Sequence, residues 1–239
     1  MNSSFDNPYA SPITAAQAAP AERVGFIRRT YAHLAGAIAI FAALEFLLFQ
    51  LITPEQVFGL LGASQFSWLI VLGAFIGVSF LAERWANSDT SVGVQYFGLG
   101  LYIVAESLIF LPLLMMAEIT AGVELIGQAG ILTLFLFGGL SAIAFTTKKD
   151  FSFLGGMLKM AFFVALGLIV LATFTPMTLG IWFSGAMIIV AAASILYSTS
   201  NVIHHYRPTQ HVAASLSLFA SVALLFWYVL RFMMAFGRD

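Results

Sequence analysis

Residues 93–117 read GVQYFGLGLYIVAESLIFLPLLMMA, a run with one charged side chain, Glu106, among apolar and small residues. Such a run can cross a bilayer, because about 20 predominantly apolar residues cover roughly 30 Å of hydrocarbon and lipid offers no partner to an unpaired backbone amide. Working outward in both directions, six more apolar segments of similar length follow one another with short polar joints between them. The seven predicted spans run approximately over 30–52, 66–83, 93–117, 125–146, 154–175, 179–199 and 212–236. Only the joint around Pro54 to Ser64 is long enough to hold a further short element. The fold class implied is an all-α integral membrane protein, a seven-transmembrane helical bundle in a lipid bilayer.

Composition leads to the same class. With 61% hydrophobic and 9% charged residues there is too little polar surface to coat a soluble globule. A net charge of −1 supplies no basic field for nucleic acid. The absence of cysteine removes disulfides, thiolate nucleophiles and cysteine metal sites. Residues 1–21 lack the cationic start and apolar core of a secretory signal, and their Asn, Ser, Pro and Ala content predicts a disordered tail ahead of a membrane domain over 22–239.

Arginine and lysine set the expected orientation. Arg23, Arg28, Arg29, Arg84, Lys148, Lys149 and Arg207 fall at the N-terminal boundary or at the second, fourth and sixth joints, with Lys159 near the fourth, and the first, third and fifth joints have none. The positive-inside tendency places the N-terminus in the cytoplasm, and an odd number of spans places the C-terminus, with Arg238 and Asp239, on the opposite side.

Any chemistry is expected at polar groups that the bilayer would otherwise exclude. Glu106 lies near the middle of the third span, between Tyr102 and Pro112, where an ionised side chain costs roughly 2.5–3.5 kcal/mol on insertion scales. It therefore faces protein or water, either as part of a proton or cation path or as a neutral acid bonded to a neighbouring helix. Glu45, toward the outer end of the first span, is placed to reach the interface in a structural role. Lys159 and Arg231 lie close to opposite membrane faces, where long cationic stems snorkel. Ser194, Ser198 and Asn201, at i, i+4 and i+7, share one face of the sixth span, and Ser217 and Ser221 form a matching pair on the seventh. These hydroxyls read first as packing glue and second as a narrow hydrated seam.

His204, His205 and His211 cluster in the sixth joint, but adjacent histidines cannot point the same way from one regular element, so no metal site is expected. The sequence has no His-Glu-x-x-His, no Gly-x-Ser-x-Gly and no phosphate-cradling loop, and Gly155-Gly156 is not followed by Lys-Ser/Thr. Neither an enzyme nor a cofactor is expected.

The stretch Thr146-Thr147-Lys148-Lys149-Asp150-Phe151-Ser152-Phe153-Leu154-Gly155-Gly156-Met157-Leu158 resembles the fourth-joint and fifth-span signature of the Bax inhibitor-1 superfamily, particularly its bacterial YccA-type members. Leu196 to His204 resembles the end of that family's sixth span, Arg29-Thr30-Tyr31 with Leu34 the start of its first, and Glu106-Ser107 falls where many members have Glu-Gly. The resemblance implies six helices around a central C-terminal helix in a bacterial inner membrane. It also implies one of two roles: interaction with, or modulation of, a membrane-bound AAA protease such as FtsH, or a calcium or proton leak. In relatives the leak's pH control is attributed to an aspartate in the sixth span and another in the seventh. The matching positions here are Ser198 and Ser221, so the resemblance also implies a missing acid-pair sensor.

Overall fold

The computed structural model describes residues 13–88, 91–147 and 149–236. Its elements, in order, are α1 (Pro20–Leu51), α2 (Pro54–Gly62), α3 (Ser67–Ala86), α4 (Val92–Ala121), α5 (Val123–Thr147), α6 (Leu154–Phe174), α7 (Ile181–His204) and α8 (His211–Phe236). All but the short α2 are long and apolar enough to cross a membrane. Lys148, Arg238 and Asp239 lie outside the described residues, as do residues 1–12 of the expected tail.

Local chemistry explains where the chain turns. Pro54 sits in the first turn of α2, where its missing N–H is no loss, and Thr53 and Gln56 exchange side-chain and backbone bonds in a capping box. This is the short element that the first joint had room for. Ser91 Oγ accepts from Val94 N at 3.2 Å and starts α4. Gly122, at φ 84°, closes α4 and lets α5 begin at the next residue, a backbone angle that side-chain-bearing residues rarely adopt.

The helices outrun the predicted spans. At 32 residues α1 is about 48 Å long, well beyond the hydrocarbon, and it starts at Pro20 rather than near residue 30 because its charged first turns continue the helix outside the apolar layer. The last part of the expected tail is also packed: Ala15 is fully buried, and its N–H donates to the Tyr206 carbonyl at 2.8 Å.

α8 is the core of the bundle. It packs on α1, α3, α4, α5 and α7 and is buried over most of its length, whereas α6 leans chiefly on α7 and buries only Ala165. An aromatic cluster fills the space beside α8: Phe110 stacks on Phe226 at 5.6 Å and meets Trp227 edge-on at 5.0 Å, and Phe41 meets Phe110 at 5.2 Å and Phe219 at 6.0 Å. The α1 start, the α3 end, the α5–α6 joint and the α7–α8 joint, with Arg23, Arg28, Arg29, Arg84, Lys149 and Arg207, lie at one end of the bundle, termed here the basic face.

Candidate functional site

The serines of α7 and α8 meet. Ser221 Oγ lies 2.7 Å from Ser194 Oγ and 2.9 Å from Ser198 Oγ, and Ser217 Oγ donates to Ser198 Oγ at 3.1 Å. Ser221 also donates to the Ser217 carbonyl at 3.0 Å. The alternating polar positions on each helix therefore form one continuous hydroxyl seam. Asn201, on the same face of α7, is not part of it and lines a separate pocket nearer the basic face.

Beside the seam lies a cavity of about 1200 Å³ bounded by α3, α4, α6, α7 and α8. Ser194 and Ser221 line it on one side, Tyr102 and Glu106 on another, with Glu83 and Lys159 toward the basic face and Arg231 toward the opposite face. Its remaining walls are largely aromatic and aliphatic, including Trp68, Phe75, Phe110 and Trp227. Glu106 is 5% exposed and lies one helical turn from Tyr102 on the same buried face of α4. A buried carboxyl near hydroxyl groups can hold and pass a proton or meet a cation.

Glu45 departs from expectation. Instead of reaching the interface it is 6% exposed, and among the described residues neither carboxyl oxygen has a hydrogen-bond partner. The cause is angular: Leu34, Ala37, Phe41 and Glu45 form one stripe of α1, and that stripe faces the core. Arg231 does more than anchor, because its Nη2 donates to the Leu179 carbonyl at 3.2 Å at the mouth of the cavity.

The fourth joint is clasped to the end of α7. Asp150 Oδ2 lies 3.0 Å from His205 Nε2, Ser200 Oγ donates to Asp150 Oδ1 at 3.4 Å, and the Phe151 N–H donates to Ser200 Oγ at 2.8 Å. The Ser152 N–H holds the Asp150 carboxyl below the usual carboxylate range, helped by His205. Lys149 lies in the same joint, Gly155 packs directly on Tyr197, and Gly156 has open space around it. Of the three joint histidines, His205 pairs with Asp150 and meets His204 edge-on at 6.3 Å, whereas His211 packs edge-on against His33 of α1 at 5.0 Å, and His33 in turn bonds Tyr96 at 2.7 Å. Among the described residues no three His, Asp or Glu side chains converge on one point.

Sequence reading missed Glu83, Tyr102 and Tyr197 as cavity residues. Tyr102 had a usable signal, one turn before Glu106 on the same face. Tyr197 had none short of the packed helices.

The family described as inhibitor of apoptosis-promoting Bax1 matches residues 23–238. An uncharacterised Pseudomonas aeruginosa protein, PA2604, is 30% identical over 233 residues, 95% of this chain and 96% of the relative. The Escherichia coli protein named modulator of FtsH protease YccA is 30% identical over 175 residues, 72% of this chain and 76% of the relative. Bax inhibitor 1 of Schizosaccharomyces pombe is 27% identical over 218 residues, 90% of this chain and 78% of the relative. A match over nearly the whole chain, on a seven-span helical bundle with a buried C-terminal helix, places this protein in the Bax inhibitor-1 family.

Proposed function

We propose that this chain is a YccA-like inner-membrane modulator of a membrane-bound AAA protease of the FtsH type, with its basic face in the cytoplasm. The observation that carries the reading is the similarity over 175 residues to the Escherichia coli protein of that name. The cations of the basic face support the orientation. The Asp150 clasp supports a binding role, because it fixes the fourth joint against α7 as one surface at that face. The role is binding and not catalysis. Residues 1–12 precede the Ala15 contact and are proposed as the segment that the protease engages. Deleting residues 2–12 leaves the Ala15–Tyr206 bond in place, so the bundle is expected to fold normally while the amount of protease co-purifying with it falls. Unchanged recovery would remove this segment from the mechanism.

A second reading, a calcium or proton leak, is favoured by a specific observation: a buried carboxyl, Glu106, faces a cavity that reaches from Lys159 to Arg231. Glu106→Gln keeps the shape and removes the ionisable group, so flux in reconstituted vesicles is expected to change. Identical flux would exclude Glu106 as the carrier.

A further inference from the structure

We infer that Tyr197 is the barrier that closes the intramembrane cavity toward the basic face. Ser194, Tyr197 and Asn201, at i, i+3 and i+7, form one stripe along α7. Ser194 lines the large cavity and Asn201 lines a second pocket of about 380 Å³, which opens at the basic face among Ser152, His205, Tyr206 and Gln210. Among the described residues Tyr197 alone lines both. Its ring is the wall between a space holding Glu106 and a polar vestibule.

The ring is held in place by the fourth-joint motif. A Cβ built on Gly155 would stand 3.0 Å from Tyr197 Cε2 and 3.3 Å from its Cζ and hydroxyl oxygen, so the ring rests closely on the glycine and a methyl group there would press it back by a few tenths of an ångström. Gly155 in turn opens α6 directly after the joint that Asp150, Ser200 and His205 bind to α7. The clasp fixes the backbone on one side of the ring, and α7 carries the ring itself. Movement of this one side chain about its two torsions joins the two spaces. The neighbouring Gly156 has nothing within 4 Å of its Cβ position, which separates the two glycines of the motif by role.

The barrier goes beyond the protease reading and gives the leak reading its gate. The test reads access rather than flux, so failure of the barrier and failure of the leak are distinguishable. The chain has no cysteine, and Ala220 lines the large cavity without belonging to the serine seam. Ala220→Cys in the full chain is reconstituted, and a charged, membrane-impermeant methanethiosulfonate is applied to the basic face or to the opposite face. With Tyr197 present, labelling from the basic face is slow. Tyr197→Ala is expected to raise its rate about tenfold or more, in proportion to the accessible fraction. Gly155→Ala, which presses the ring back by a few tenths of an ångström, is expected to raise it less than Tyr197→Ala does, whereas Gly156→Ala and Tyr197→Phe, which keep the ring in place, leave it unchanged. An unaltered rate in Tyr197→Ala, fast labelling with Tyr197 intact, or an equal rise from both faces would overturn the assignment.

Discussion

Replacing Gly98 by alanine should destabilise the bundle by about 1–3 kcal/mol, the range for a methyl group forced into a packed interface. A Cβ on Gly98 would lie 2.6 Å from the Ala82 carbonyl oxygen, 2.6 Å from the Ala86 nitrogen and 3.0 Å from Trp85 Cβ. Two of these atoms belong to the α3 backbone and cannot turn aside as a side-chain tip does, so α3 and α4 must separate. The contact matters because α3 buries only Ala82 and Ala86 and rests mainly on α4. Small residues on both helices permit the close approach, which in lipid is a main source of helix association. Gly100→Ala is the matched control: nothing lies within 4 Å of its Cβ position, and the intrinsic preference of a helix for alanine makes it neutral or slightly stabilising. Thermal unfolding of the detergent-purified variants, followed by tryptophan fluorescence, checks the pair. Equal melting of the two would refute the packing argument.

The second large effect is expected from Ser198→Asp combined with Ser221→Asp. The two hydroxyl oxygens are 2.9 Å apart and Ser221 borders the cavity, so two carboxyls placed here would lie side by side next to that space. Two unit charges 4 Å apart repel by about 4 kcal/mol at an effective dielectric of 20, and each buried charge carries an insertion cost of roughly 2.5–3.5 kcal/mol besides. The pair therefore holds one proton between its two carboxyls over a broad pH range, and it releases that proton in a separate step. Cation flux in vesicles should acquire, in the double variant, a pH dependence set by the pair and distinct from the parent chain's profile. A pH profile that superimposes on the parent's would mean that these two positions do not control the path.

That experiment is possible because the positions read from the sequence as the acid-pair sites do face each other. The serine seam was legible because hydroxyls at i and i+4 on adjacent apolar helices have few other places to go. The seven spans were legible because the bilayer sets a length that soluble folds do not require. The centrality of α8 came from resemblance and not from periodicity, since α6 and α8 are both apolar all round. Both helices mix large and small side chains; the difference lies in packing, since α8 buries Leu218, Phe219 and Leu225 as well as its small residues, whereas α6 leaves Met157, Met160, Phe162 and Phe163 exposed. Glu45 was misplaced because depth along the helix was weighed without angle around it. The cavity and the Tyr197–Gly155 contact were not legible, because a space between helices has no local signature. Asp150 was singled out as a motif residue, but its hold on His205 and Ser200 depends on how α7 ends.

The protease reading is tested most directly by reconstituting a membrane-bound AAA protease of the FtsH type with a membrane substrate and measuring ATP-dependent degradation with and without this chain. The account predicts that adding the chain in excess over the protease changes the degradation rate, and that an unrelated seven-span protein at the same ratio does not. The same rate with and without the chain would contradict it.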